Sequence, residues 1–95
     1  MIVEYSKSLE RKVENMTDKI AVKRLLELVI LLKQADNLKE IPNIRPIKGT
    51  QGLYRITTGN YRLIIEPIKD KIIIIFLVDY RRRNEKTYKG LNFLK

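Results

Sequence analysis

The stretch LYRITTGNYRLIIEPIKDKIIIIFLVDY, residues 53–80, decides the fold of this 95-residue chain. Gly59 interrupts it once and Lys69-Asp70 interrupts it again. Connections this short join only antiparallel neighbours, so the stretch predicts a three-stranded β-meander. The last run is almost continuously apolar, which is typical of a central strand that is covered on at least one face. The predicted strands, rich in β-branched and aromatic residues, are LYRITT (53–58), YRLIIEP (61–67) and KIIIIFLVDY (71–80).

Working outward toward the N-terminus, residues 1–5 predict a short strand, and two helices follow it. Ser6 is a candidate N-cap for a first helix that continues to Met16, and Thr17 or Asp18 can cap a second that ends near Gln34. One stripe of the second helix has the spacing of a buried face: Ala21, Leu25, Leu28 and Leu32. Four further apolar residues widen this surface, and both core packing and a docking surface for a partner would explain them: Val22, Leu26, Val29 and Ile30.

The remaining segments predict less regular structure. Residues 35–52 read as an irregular connection, and loops of this length in small domains are often functional. Residues 84–95 predict a short terminal helix, weakened by Gly90. The element order β-α-α-β-β-β with a short C-terminal helix predicts an α+β fold, in which two N-terminal helices pack on a small antiparallel sheet. We expect residues 1–95 to form a single domain.

Composition excludes several kinds of chemistry. The chain has no cysteine and no histidine, so thiol nucleophiles, Ser-His-Asp triads and thiolate or histidine metal sites are impossible. No secretory signal is visible, and no apolar run approaches the ~20 residues that span a bilayer. We therefore expect a cytoplasmic protein without a membrane anchor, a metal or a cofactor. Any catalysis must use Lys, Arg, Tyr, Glu or Asp, or a group from a partner.

Positive charge is concentrated in the second half of the chain. The net charge is +9, from 20 basic and 11 acidic side chains. Residues 1–44 contribute net +1 and residues 45–95 contribute net +8. Such asymmetry favours a phosphate-rich partner, because clustered Lys and Arg neutralise a polyanion. The alternative is that the basic residues only keep a small domain soluble.

Strand parity predicts that three arginines share one face of the meander. Paired residues across a hairpin lie on the same face, and successive residues alternate. If each turn has a two-residue loop, Arg55, Arg62 and Arg81 fall on one face, with Arg62 and Arg81 at the same end of the sheet. A three-residue loop in either turn would break this parity. Further candidates close to this cluster are Lys48, Arg82, Arg83, Lys86 and Tyr88.

A convergent cluster of like charges destabilises the protein unless an anion neutralises it. Arginine offers planar, bidentate hydrogen bonds to phosphate, and tyrosine can stack on a nucleobase. The alternative for Arg81–Arg83 is a solvated run of charges, in which each guanidinium finds its own carboxylate.

At these residues the chain resembles the RelE/ParE superfamily of toxins from bacterial and archaeal toxin–antitoxin modules, and more closely its RelE-like mRNA interferase branch. The resemblance rests on the succession of IKG, LYRI, YRLII and KIIIIFLVDYRRRNEKTY within residues 47–88. The elements before it occur in the expected order, so the resemblance covers nearly the whole chain. Its YRL motif (Tyr61, Arg62 and Leu63) identifies the superfamily better than it identifies the activity.

The resemblance implies a ribosome-dependent mRNA endoribonuclease, in which a ribose 2′-hydroxyl attacks the adjacent phosphate without a metal. Arg62 matches the arginine that stabilises the phosphate, and Arg81 matches a phosphate ligand or proton donor, a role that Arg82 or Arg83 would take after a one-residue slip. Tyr88 matches the tyrosine that orients or deprotonates the nucleophile. The residues implied to bind RNA around these catalytic positions are Lys48, Arg55, Arg82, Arg83 and Lys86.

The chain departs from the RelE pattern at two positions. Arg55 and Thr57 stand where that branch has two lysines. Arginine stays protonated and threonine is not a base, so Tyr88, Lys48 or a ribosomal group must accept the proton, or the protein is slow or inactive as a nuclease.

Two other functions compete with the nuclease. A ParE-like toxin shares the fold and inhibits DNA gyrase by binding, and Thr57 favours this alternative. A plain RNA-binding or structural module is the third. In both toxin interpretations the resemblance implies a cognate acidic antitoxin that covers the basic cluster or displaces the Tyr88 segment, with mRNA and the ribosome as partners of the nuclease. Oligomers are expected to form mainly through the antitoxin complex.

Overall fold

The computed structural model describes residues 1–69 and 72–83 of the chain. In chain order the regular elements are β1 (Ile2–Tyr5), α1 (Lys7–Glu14), α2 (Lys19–Gln34), a 3₁₀ turn (Leu38–Glu40), β2 (Ile44–Pro46), β3 (Tyr54–Thr58), β4 (Tyr61–Lys69) and β5 (Ile73–Arg82). The predicted C-terminal helix lies outside the described residues. Within those residues, no helix has both the length and the apolar character that crossing a bilayer requires.

Both helices begin at the predicted caps. The Ser6 hydroxyl accepts a hydrogen bond from the Leu9 N–H at 3.1 Å, and it donates to the Val78 carbonyl at 2.9 Å. The Asp18 carboxylate accepts from the Ala21 N–H at 3.0 Å. Such contacts satisfy backbone donors that the first helical turn leaves unpaired. Ser6 therefore both starts α1 and fastens it to β5.

The sheet has five strands in the order β1-β5-β4-β3-β2. The predicted meander of β3, β4 and β5 is confirmed, with each strand antiparallel to the next. The expectation of a purely antiparallel sheet is wrong, because β1 pairs in parallel with β5, from Ile2 opposite Ile74 to Tyr5 opposite Leu77. The α+β fold class, with two helices packed on the sheet, is confirmed.

Residues 35–52 are more regular than the sequence indicated. They contain the 3₁₀ turn and also β2, which pairs antiparallel to β3. Arg45 on β2 lies directly opposite Arg55 on β3. This strand extends the sheet beyond the meander and brings a further cationic side chain to its edge.

One face of the sheet packs on the helices. The predicted stripe of α2 is buried: Ala21, Leu25, Leu28 and Leu32. The Tyr80 hydroxyl donates to the Ala21 carbonyl at 2.8 Å and ties β5 to α2. Burial raises the pKa of Tyr80 to about 12, so this phenol stays protonated and serves as a structural donor.

The additional apolar residues of α2 divide into two groups. Val29 is buried in the core and Val22 is half-buried, so the docking interpretation is wrong for Val29. Leu26 and Ile30 are 49% and 56% exposed. One helical turn separates these two residues, so they form a small apolar surface that faces away from the sheet.

Gly59 occupies a two-residue turn between β3 and β4, in which Thr58 pairs with Tyr61. Its φ of 57° lies in the left-handed region that disfavours a side chain, and an added Cβ would collide with the guanidinium of Arg24. We expect Gly59→Ala to lower the free energy of unfolding by about 1–2 kcal/mol. Urea denaturation measures this loss.

The backbone strain at Gly59 outweighs the collision, because Arg24 is long and flexible. The loss should therefore persist when Gly59→Ala is made in an Arg24→Ala background. Full recovery of stability in that double variant would show that the collision, and not the backbone, makes glycine necessary here.

Candidate phosphate-binding site

The register between β4 and β5 places Arg62 directly opposite Arg81. Three residues, and not two, separate the last paired positions Lys69 and Ile73, so the assumed loop length is wrong. A bulge at Ile64/Ile65 adds one residue to β5 and restores the parity that the longer loop removes. The predicted convergence of Arg62 and Arg81 is thus confirmed, although its assumed cause is not.

Arg55 shares this face. It pairs with Ile64, two positions along β4 from Arg62, and so lies diagonally next to Arg62 as predicted. Opposite residues of antiparallel strands have Cα atoms about 4.5–5.5 Å apart. The helices pack on the other face of the sheet, where Ile56 and Leu63 join the main core.

Arg45 is a fourth arginine on this face, and it was not among the residues predicted from the sequence. It is exposed and lies opposite Arg55, and directly paired residues project to the same side. Its strand has only three residues and no alternation of apolar side chains. The IRP tripeptide therefore carried no strand signal to which the parity argument could be applied.

Lys48 reaches the same region from the loop after β2. A small second core of Ile47, Leu53, Ile64 and Val78 holds this loop against the open face of the sheet. The Ile47 N–H donates to the Leu53 carbonyl at 3.0 Å and closes the loop. The cavity on the open face has a volume of about 300 Å³ and is lined by Pro46, Ile47, Lys48, Arg55 and Arg62. A separate cavity of about 380 Å³ lies at the β1 edge of the sheet.

The arginines of the open face are partly ordered by their neighbours. Arg55 Nη1 donates to the Thr57 hydroxyl at 3.2 Å, and Thr57 pairs across the strands with Arg62. Arg62 is half-buried and its Nε atom is fully buried. Side chains held in this way lose less entropy when they bind a ligand than exposed, mobile ones do.

Asp79 organises the Arg81 end of the site, a role that was not predicted from the sequence. Its carboxylate accepts hydrogen bonds from Arg81 Nε and from the Tyr80 N–H, the latter at 2.8 Å. It also accepts from Lys12 Nζ at 3.2 Å. Asp79 thus joins α1 to β5 and fixes the Nε side of the Arg81 guanidinium. Arg81 therefore contacts a carboxylate, as expected under the alternative that residues 81–83 form a solvated run of charges.

Burial by itself raises the pKa of Asp79, but the hydrogen bonds from Arg81 and Tyr80 and the nearby Lys12 charge outweigh it and lower the pKa below the usual 3.8. A lowered pKa means that folding is stabilised above pH 3.8, and that the contribution disappears as the pH falls through the folded-state pKa.

We expect Asp79→Asn to reduce the free energy of unfolding by about 1–2 kcal/mol at pH 7, since charge-assisted hydrogen bonds are lost. Denaturation of both proteins across the acid range should show the two stability curves converging below pH 3.8. Asp36→Asn, at an exposed carboxylate, is the matched control and should change little. A constant gap between the curves at all pH values would contradict the charge-based account.

Arg82 and Arg83 lie at the end of the sheet. Arg82 pairs with Tyr61, which belongs to the helix-covered face, and its Nε donates to the Tyr61 hydroxyl at 3.4 Å. Arg83 follows β5 and is exposed. Both line a different cavity at the end of the sheet, which Arg62 also borders. The structure therefore places Arg82 on the face opposite Arg55 and Arg81, and it brings Arg83 to the cavity at the end of the sheet.

The remaining predicted site residues, Lys86 and Tyr88, lie outside the described residues, and their roles stay predictions. Within residues 1–69 and 72–83, no cluster of acidic side chains has a composition suited to a metal ion. Beside the Asp79 carboxylate, the open face carries cationic and hydroxylic side chains, among them Arg55, Arg62 and Thr57. Such groups can hold phosphate oxygens and stabilise negative charge on them.

The fold and the site together define a small basic α+β protein with a row of arginines across the open face of its sheet. The chain belongs to the family of ParE toxins of type II toxin–antitoxin systems, parDE, whose model matches residues 3–85. This family is part of the RelE/ParE superfamily. No curated protein matches the chain.

Solved structures share the fold. A chain of the archaeal RelE–RelB complex from Pyrococcus horikoshii is 23% identical, with a TM-score of 0.68 over 88% of this chain and 96% of that one. A chain of the RelB–RelE complex from Methanococcus jannaschii is 21% identical, with a TM-score of 0.70 over 90% of this chain and 96% of that one. The YoeB/ParE toxin from Agrobacterium tumefaciens is 17% identical, with a TM-score of 0.68 over 87% of this chain and 99% of that one. Similarities at these identities show the fold alone.

Proposed function

We propose that this type II toxin is a metal-independent endoribonuclease that cuts mRNA on the ribosome and thereby arrests translation. The observation that carries the proposal is the pairing of arginines across neighbouring strands. Arg45 lies opposite Arg55, and Arg62 lies opposite Arg81, all on the face of the sheet that the helices leave open.

Like charges placed directly opposite each other destabilise a sheet. Asp79 is one carboxylate in contact with this group, and Arg81 and Lys12 share it. An arrangement that weakens the unbound protein is expected where a polyanion binds and adds negative charge. The RNA backbone fits because guanidinium groups form paired hydrogen bonds to phosphate oxygens.

The chemistry is attack of a ribose 2′-oxygen on the adjacent phosphorus, with departure of the 5′-oxygen of the next nucleotide. The phosphorane passed on the way carries more negative charge than the ground state, so fixed cations bind it more tightly than the substrate. Arg62 and Arg81 are the proposed ligands of this phosphate, and Arg55 with Lys48 binds the neighbouring backbone. Arg81 also supplies a proton-donating guanidinium to the leaving oxygen.

The proton of the 2′-hydroxyl needs an acceptor. Tyr88 is the proposed one, with Lys48 or a ribosomal group as the alternatives. Tyr80 is unsuited, because its raised pKa keeps the phenol protonated and its hydroxyl already donates to Ala21. Thr57 cannot act as a base but supports Arg55, which is a positioning role.

Asp79 is proposed as the positioning residue for Arg81. A carboxylate that holds Nε leaves the orientation of the guanidinium plane fixed relative to β5. Preorganised donors contribute more to catalysis than mobile ones, because they need no reorientation when charge develops.

The proposed partners follow from the same surfaces. An acidic antitoxin segment would neutralise the arginine row, and the exposed Leu26 and Ile30 of α2 offer it an apolar contact. The structurally similar RelE–RelB structures are complexes of a toxin with its antitoxin. We propose a cytoplasmic, single-domain toxin over residues 1–95 that oligomerises mainly through this complex.

Inhibition of DNA gyrase by binding is the second candidate. Two observations favour it: the matching family model is that of ParE toxins, and Thr57 replaces a residue able to accept a proton. Under this candidate the arginines would hold an acidic protein surface or DNA, and no RNA bond would be cut.

Induced expression of the toxin without its antitoxin, followed by primer extension on a reporter message, tests the proposal. New 5′ ends within the reading frame, together with arrested translation, are the expected result. Intact transcripts accompanied by a DNA-damage response would overturn the nuclease in favour of gyrase inhibition. Normal growth of cells that contain folded toxin would overturn both.

A further inference from the structure

A second cavity, of about 550 Å³, lies at the end of the sheet next to the proposed cleavage site. It sits between the start of α2, the turn from β3 to β4 and the end of β5. Its volume is within the range of small-molecule sites and is large enough for a nucleotide. The lining residues are Asp18, Asn60, Tyr61, Arg62, Arg82 and Arg83.

The charge of this cavity suits a nucleotide. Of the described residues that line it, three are arginines and one, Asp18, carries a carboxylate. Arg62 also lines the cavity on the open face of the sheet, so the two cavities adjoin at this residue. A polynucleotide whose phosphate is held at Arg62 can therefore continue from one cavity into the other.

The walls of the second cavity are ordered by contacts within the protein. The ring of Tyr61 stacks on Tyr80 with centroids 4.7 Å apart, and its hydroxyl accepts from Arg82 Nε. The Arg83 N–H donates to the Asn60 carbonyl at 2.7 Å, which fastens the end of β5 to the turn. Asp18 is fixed as the N-cap of α2 through Oδ1.

We propose that this cavity is a second nucleotide subsite, which binds one base of single-stranded RNA next to the cleavage site and selects it. The inference rests on the proposed function. Arg82 and Arg83 hold the phosphate, and Asp18 with Asn60 faces the edge of the base. A carboxylate only accepts hydrogen bonds, and it has room for several, so it favours a base with an exocyclic amino group. Cytosine fits this requirement and uracil does not.

Binding of 2′-O-methylated oligocytidylate and oligouridylate to the purified toxin tests the subsite. Methylation removes the attacking hydroxyl, so fluorescence anisotropy reports binding without cleavage. We expect the wild-type toxin to bind the cytidine oligomer about tenfold more tightly, the discrimination of one good base contact. Asp18→Asn should erase the preference and strengthen binding of both oligomers, while asparagine still caps α2.

Arg83→Ala should weaken the binding of both oligomers equally. It should also reduce the slope of log K against log salt by about 0.7, the contribution of one single-strand phosphate. Lys33→Ala removes one positive charge at the other end of α2, roughly 20 Å from Asp18 by helical rise, and is the matched control. We expect Lys33→Ala to leave affinity, slope and preference unchanged.

Equal binding of the two oligomers by the wild-type toxin, or an unchanged preference in Asp18→Asn, would overturn the subsite. Arg55→Ala and primer extension separate this failure from failure of the proposed function. If Arg55→Ala weakens binding and the message is still cut, the nuclease stands and only the second subsite is wrong. An uncut message overturns the nuclease, and the subsite that rests on it falls as well.

Discussion

Arg62→Ala is expected to abolish toxicity and to slow mRNA cleavage on programmed ribosomes by about 10²–10³-fold, the effect of removing one ligand of the transition-state charge. Arg62 lies opposite Arg81 and borders both cavities, so we expect its removal to weaken binding of the phosphate directly. Single-turnover cleavage of a ribosome-bound message measures the rate.

Two variants accompany this measurement. Arg62→Lys keeps the charge but loses bidentate geometry, so it should retain an intermediate rate. Arg11→Ala removes an exposed arginine of α1 and should cut and arrest translation as the wild type does. If Arg62→Ala remains fully toxic, Arg62 is not a ligand of the scissile phosphate.

Leu63→Ala is expected to cost about 2–5 kcal/mol of unfolding free energy, because Leu63 is fully buried in the main core and the truncation leaves a cavity. This is a large fraction of the roughly 5–15 kcal/mol that stabilises a typical domain. Thermal and urea denaturation measure the loss, and toxicity should fall with the folded fraction.

An exposed position on the same strand gives the control. Ile68 of β4 is 47% exposed, and Ile68→Ala should change stability by only about 0.5 kcal/mol. Leu63→Ala and Arg62→Ala also differ in kind. The first should lose toxicity together with stability, while the second should lose toxicity and remain folded. A Leu63→Ala protein as stable as the wild type would contradict the burial of Leu63 in the main core.

The sequence predicted what local signals specify. The helix caps at Ser6 and Asp18 and the apolar stripe of α2 lie within a few residues of the structure they determine, and each was confirmed. The parallel pairing of β1 with β5 was missed, because its partners lie about seventy residues apart and no turn connects them. The strand β2 was missed because it is short and has no alternating pattern.

The register of the site was right for a reason that the sequence did not contain. With the longer loop before Ile73 alone, Arg81 would lie on the opposite face from Arg62. The bulge, in which Val78 is the extra residue of β5, places the two arginines on the same face. The sequence does not indicate this bulge, because the apolar run Ile72–Val78 has no alternation in which a change of parity could be seen. Strand parity across two hairpins therefore depends on irregularities that only the structure reveals.

Individual site residues were predicted unevenly. The structure brings Lys48, Arg55 and Arg62 to one cavity, as expected. Arg82 was placed with them but projects to the helix-covered face beside Tyr61, because it is one residue away from Arg81 on a strand. Asp79 was assigned no role, since a single acidic residue before a basic run does not show which arginine it holds.

The central claim is that Arg62 and Arg81 hold the same phosphate from neighbouring strands. A double-mutant cycle on the cleavage rate tests it most directly, with Arg62→Ala, Arg81→Ala and the double variant compared on a ribosome-bound message. If one phosphate is shared, the double variant should be scarcely slower than the slower single variant. If the fold-losses in cleavage rate of the two single variants multiply in the double variant, as for two independent sites, the claim is contradicted.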